Sequence, residues 1–136
     1  MENTGGKAGA GEPPLLVVER SGGVAGRFAR MRVEMSGRVS VRRPPREEIE
    51  IQLEGPRLAH LRSLLTGSHF RSLASSYFLP HPAVAGGYAW RISHDGSTVA
   101  TRDGEAPRGL AALMRELASL IDESAFADDG ELAGLD

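Results

Sequence analysis

The chain has 136 residues, 40% of them hydrophobic, and carries 16 basic against 18 acidic side chains for a net charge of −2. That balance excludes a uniformly basic nucleic-acid binder, and the length suits one domain with tails. The absence of cysteine excludes disulfide scaffolds, thiol catalysis, iron–sulfur clusters and cysteine-held zinc.

Met1 to Pro14 is rich in Gly, Ala, Glu and Pro with almost nothing to bury, which predicts a disordered arm over 1–14. It lacks the apolar stretch of a Sec signal peptide. The first apolar run, Leu15-Leu16-Val17-Val18, is far shorter than the ~20 residues of a membrane span. A soluble, cytoplasmic protein that does not engage a membrane is expected, with signal-independent export left open.

A short strand is predicted over Leu15–Arg20, broken by Ser21-Gly22-Gly23-Val24-Ala25-Gly26. Beyond that break, Ala29, Met31, Val33, Met35, Val39 and Val41 occupy odd positions while arginines dominate the even ones. This period of two predicts one long half-buried strand, or two pieces bent at Ser36-Gly37. Prolines 44 and 45 interrupt it, and Ile49, Ile51 and Leu53 then alternate with Glu48, Glu50, Gln52 and Glu54. If these strands pair, the arginine and glutamate rows share a face, where cross-strand ion pairs contribute ~0.2–1 kcal/mol each.

Pro56 opens a helix with Leu58, Leu61, Leu64 and Leu65 as its apolar stripe and Gly67 as its expected stop. Phe70, Leu73, Tyr77, Phe78 and Leu79 read as packing anchors, and residues 80–87 as an irregular loop. Tyr88, Trp90 and Ile92 alternate as a strand, Asp95-Gly96 turns it, and Thr98–Arg102 returns. Pro107 starts the strongest helix, with Leu110, Leu113, Met114, Leu117, Leu120 and Ile121 at helical spacing.

The predicted order is β-β-β-α-β-β-α. It indicates an α+β single domain with a mainly antiparallel sheet of four to five strands and two helices packed on one face. The domain is expected over 15–123, followed by an acidic disordered tail over 124–136.

Charge is uneven along the chain. Eight arginines face one acid between Arg20 and Arg46, whereas nine acids face two arginines from Asp103 to Asp136. A basic strand face can follow a phosphate backbone, but Phe28 is the only aromatic residue in that stretch, and base stacking needs more. Nucleic acid is therefore the less favoured partner.

Catalytic signatures are missing. Ser21 to Gly26 approaches a dinucleotide-binding glycine loop, but a strand pattern follows where a helix must start. The histidines, His60, His69, His81 and His94, show no i,i+4 pair, so no metal site of its own is expected. There is neither a nucleophile elbow nor an opposed carboxylate pair. A non-enzyme without cofactors is expected.

Glu19-Arg20-Ser21-Gly22-Gly23-Val24-Ala25-Gly26 after an opening strand resembles the E-R-S-G-G-F-A-G start of the emfourin family, small protein inhibitors of protealysin-like, thermolysin-family zinc peptidases. The Leu61–Phe70 stretch, Tyr88-x-Trp90-x-Ile92, Asp95-Gly96 with Val99, and the helix from Pro107 to Leu117 follow in the same order, so the likeness covers Leu15 to Ile121. It implies a non-enzymatic inhibitor whose exposed loops block a metallopeptidase cleft; the oligomeric state is left open, with a monomer expected. In that family an apolar loop is taken to fill substrate subsites while a loop carboxylate approaches the target's zinc. Carried onto this chain, Ser21, Gly22, Gly23, Val24 and Ala25 form the insertion loop. His81, Pro82, Ala83 and Val84 form a second contact loop, with His81 as a candidate ligand to the target enzyme's zinc. Two departures stand out: the added Arg38–Arg46 stretch, and the lack of any acid between Glu54 and Asp95. They motivate one alternative, a non-inhibitory protein-binding module of the same fold; the less favoured alternative, a nucleic-acid binder, rests on the Arg20–Arg46 face.

Overall fold

The computed structural model describes residues 13–22, 27–73, 75–77 and 87–133. Residues 1–12 of the expected arm lie outside the described residues. Seven strands and two helices follow in order: β1 (Leu16–Gly22), β2 (Arg27–Val33), β3 (Arg38–Arg42), β4 (Ile49–Gln52), α1 (Gly55–Ser68), β5 (Ser76–Tyr77), β6 (Tyr88–His94), β7 (Ser97–Arg102) and α2 (Arg108–Ala133). One sheet takes them all in the order β4-β3-β2-β1-β6-β7-β5. Every pairing is antiparallel except the two-residue contact of β5 with β7.

The fold is the expected α+β arrangement. The long alternating run is two strands, because Gly37 (φ 94°) reverses the chain and its N–H bonds to Glu34 O. A left-handed φ of this kind favours glycine. The parity survives the reversal, since Val33 pairs with Val39 and Met31 with Val41. Met35, expected inward, is instead 44% exposed because it sits in the turn itself.

One face of the sheet carries Leu16, Val18, Met31, Val33, Val39, Ile92 and Val99, all essentially buried. Against it pack Leu61 and Leu65 of α1, and Leu110, Leu113, Leu117, Leu120 and Ile121 of α2. The apolar stripes of both helices and the inward parity of the strands thus meet in a single core. At ~1.5–3 kcal/mol per buried aliphatic side chain, this cluster is the dominant stabilising term.

Helix α1 continues past Gly67 and ends at His69, which takes the left-handed φ of 51° and donates its N–H to Thr66 O. The tight helix–helix approach falls at Gly109, where a Cβ would stand 3.1 Å from Gly67 O and Ser68 Cα. Helix α2 runs beyond Glu123, where the acidic tail is expected to begin, and Ser124 is buried with its hydroxyl donating to Ile121 O.

Candidate functional site

Strand β1 lies between β2 and β6, and its register brings Gly22, Arg27 and Tyr88 to one end of the sheet. Gly22 pairs with Arg27 on one side and with Tyr88 on the other. At φ 112°, Gly22 is so close to the entry of β6 that a Cβ would stand 2.9 Å from Gly87 O. No side chain fits there. Ser21, exposed, and Gly22, half-buried, are thus the described members of the insertion loop. Gly23, Val24 and Ala25 lie outside the described residues, as do His81, Pro82, Ala83 and Val84.

Beneath that end the strands are held by an acid from the short link between the strand ending at Arg102 and the helix that follows Pro107. Asp103 accepts from Trp90 Nε1 at 2.8 Å and from Tyr88 N at 3.0 Å, and its own N–H donates to Tyr88 O at 2.9 Å. With both oxygens engaged, this carboxylate is a clamp on the start of β6. A cavity of about 200 Å³ borders it, lined in part by Gly22, Gly87 and Asp103.

Arg20 is the second residue whose role the sequence did not announce. It shares the inward parity of Leu16 and Val18, and that parity is the signal for it. Its side chain is only 10% exposed. The guanidinium carbon lies 4.1 Å from the centre of the Tyr88 ring and 5.7 Å from that of Trp90. Cation–π attraction of this kind offsets part of the desolvation of a buried cation. Asp122 of α2 supplies one hydrogen bond, from Nη2 at 3.2 Å.

The opposite face of the sheet, away from both described helices, bears the arginine row. Neutralisation by glutamates is partial and comes from more strands than the expected hairpin. Arg30 meets Glu19 of β1 at 3.9 Å, Arg32 meets Glu34 at 3.8 Å, and Arg38 meets Glu50 of β4 at 3.5 Å. In the β3–β4 ladder itself Glu50 stands opposite Ser40, and Arg38 opposite Gln52. Arg30 and Arg42 face each other directly, an unfavourable like-charge pair.

The described histidines are dispersed. His60 is exposed on α1, His69 caps that helix, and His94 Nδ1 lies 2.7 Å from Leu15 O at the far end of β6. Among the described residues no three metal-ligating side chains come together. No described helix is long and apolar enough to cross a membrane.

No family model matches the chain. No curated protein matches it either.

Proposed function

We propose that this chain is a proteinaceous inhibitor of a thermolysin- or protealysin-like zinc metallopeptidase, acting by occlusion of the active-site cleft in the cytoplasm, with no catalytic step and no cofactor of its own. The segments that enter the cleft are 21–25, with Val24 as the apolar side chain offered to a substrate subsite, and 81–84. The observation that supports this is the register at the end of β1. Two segments far apart in sequence leave the sheet beside each other, at Gly22 and at Gly87. Their bases are fixed by strand pairing and by the Asp103 clamp, so less ordering entropy is lost on binding than for free loops.

A thermolysin-like protease acting on a quenched fluorescent peptide tests this reading, with the purified chain at stoichiometric amounts. Activity is expected to fall and to stay low on dilution into substrate. Val24→Asp and Gly23→Pro are expected to restore it. Inhibition untouched by both substitutions removes the loop assignment, and full activity without either removes the inhibitor function.

A second reading, a non-inhibitory protein-binding module, draws on one observation. The acid nearest the loop bases, Asp103, has both oxygens occupied within the chain. A carboxylate directed at a target's zinc would have to come from elsewhere. Retention of a non-peptidase partner with all tested thermolysin-like enzymes left active would favour this reading.

A further inference from the structure

The two segments assigned to the peptidase cleft, 21–25 and 81–84, supply nine residues between them. A stable protein–protein interface takes ~20–30 residues from each partner and buries ~800 Å² on each. A peptidase seated on these segments therefore also rests on the surface beside them. Ser21 belongs to the first segment and, by its parity along β1, to the face of the sheet away from the helices. That face is thus continuous with the loop end.

Ser21 pairs with Phe28 of β2 and with Ala89 of β6, so these three form the first row in from Gly22. All three are exposed. Phe28 is 42% exposed, and among the described residues Met35 is the only other large hydrophobic side chain left so open. Met35 sits between β2 and β3, at the far end of β2. In the next row on the same face Glu19 stands opposite Arg91, and Arg91 opposite Ala100 of β7. Glu19, Ser21, Phe28, Ala89, Arg91 and Ala100 border a hollow of about 280 Å³. Ser21, Ala89 and Ala100 are small and leave its floor low, while the longer Phe28, Glu19 and Arg91 stand around it. The volume lies just under the ~300–1,000 Å³ of small-molecule sites, which suits one inserted side chain. Aromatic rings beside such hollows, edged by polar groups, are what interface anchor points are made of.

We infer that Phe28 and this hollow are a second contact with the target metallopeptidase, outside its cleft, where one apolar side chain of the enzyme enters against the Phe28 ring. The inference rests on the inhibitor reading. Glu19 and Arg91 give the rim one acceptor and one donor group of opposite charge, which pair with polar groups of the enzyme and keep water from the anchor. Clefts that share one zinc chemistry present similar surfaces, whereas the surface beside them is free to differ. The hollow therefore contributes choice among peptidases, and the loops contribute the blockage.

The inhibition constant of the full chain against a thermolysin-like protease, read with a quenched fluorescent peptide, tests this contact. Phe28→Ala is expected to weaken inhibition about tenfold, through faster dissociation. Ala89→Trp, which fills the hollow and leaves Phe28 and both segments intact, is expected to do the same. Met35→Ala, at the other end of β2, is expected to match the parent. Thermal melts check that each variant is folded, and if Phe28→Ala does not fold, Ala89→Trp decides. Absence of inhibition by the parent removes the inhibitor reading and this inference with it. Inhibition by the parent that folded Phe28→Ala or Ala89→Trp leaves unchanged, or an equal loss in Met35→Ala, removes this inference alone.

Discussion

Among the described contacts, two arginines in very different states reach helix α2. On the α1 side, Arg57 donates Nε to Glu116 at 2.9 Å, and Nη1 and Nη2 to Glu123 at 2.7 Å each. Ser119 Oγ bonds the same glutamate at 2.9 Å. On the β1 side, Arg20 holds neighbouring Asp122 by one 3.2 Å contact and leaves Nε unanswered. Adjacent residues of one helix thus receive a satisfied fork and an unsatisfied one. The first arrangement stabilises the helix pair, whereas the second keeps a cation beside an open cleft. A complete network rigidifies; an incomplete one leaves a buried donor whose desolvation is not repaid.

The largest expected effect comes from dismantling the platform under Arg20. Asp103→Ala orphans the Trp90 and Tyr88 N–H groups, at a cost of about 2–3 kcal/mol. In a thermal melt this is a fall in Tm of about 10 °C. An unchanged Tm would show that water replaces the clamp.

Arg57→Met comes next. It strips Glu116 and Glu123 of their shared partner and is expected to cost about 1–2 kcal/mol by urea denaturation, the exposed half of the network contributing less. Arg20→Met should stay within about 1 kcal/mol of the parent or exceed it, because an apolar side chain of similar length avoids a buried charge and leaves behind only exposed Asp122. Equal losses in the two variants would erase the contrast between the two regions.

The smallest effect is one of pH. The hydrogen bond from Arg57 holds the Glu123 carboxyl below its ordinary range, and the glutamates in turn push Arg57 further up. A depressed carboxyl contributes stability that is present above its unfolded pKa, about 4.3, and is lost as pH falls through the folded value. Between pH 6 and pH 3 the parent should therefore lose more Tm than Arg57→Met does. Parallel curves would mean that Glu123 is not held by Arg57 in solution.

Strands and helices were legible because their signals are local. Leu110, Leu113, Met114, Leu117, Leu120 and Ile121 recur at helical spacing, and all six are buried. The β6–β7 hairpin was likewise legible from Asp95-Gly96, whose φ values of 52° and 82° are those the turn demands. The division of the arginine run was only half legible, since period two looks the same in one straight strand and in two folded back. The stop of α1 was misplaced because His69, not a glycine, takes the left-handed position.

For the candidate site, the glycine segment could be singled out from sequence. Its adjacency to the start of β6 could not, since that depends on β1 lying between β2 and β6. Asp103 was invisible for the same reason: its bonds to Tyr88 and Trp90 cross a hairpin, and an acid at a turn has many local explanations. Arg20 was within reach. Counting the parity of Leu16 and Val18 two residues further turns an arginine inward, and an inward charge asks for a partner.

Both margins of the sheet are blunted, by a four-residue strand on one side and a two-residue strand on the other. Neither displays enough unpaired backbone to template another chain, and Glu48 and Glu50 add charge beside the longer margin. Edge-to-edge growth into a shared sheet, a common route from folded β-protein to aggregate, is disfavoured at both described margins. Side-chain contacts, at the sheet's end or across its arginine face, are favoured over backbone pairing.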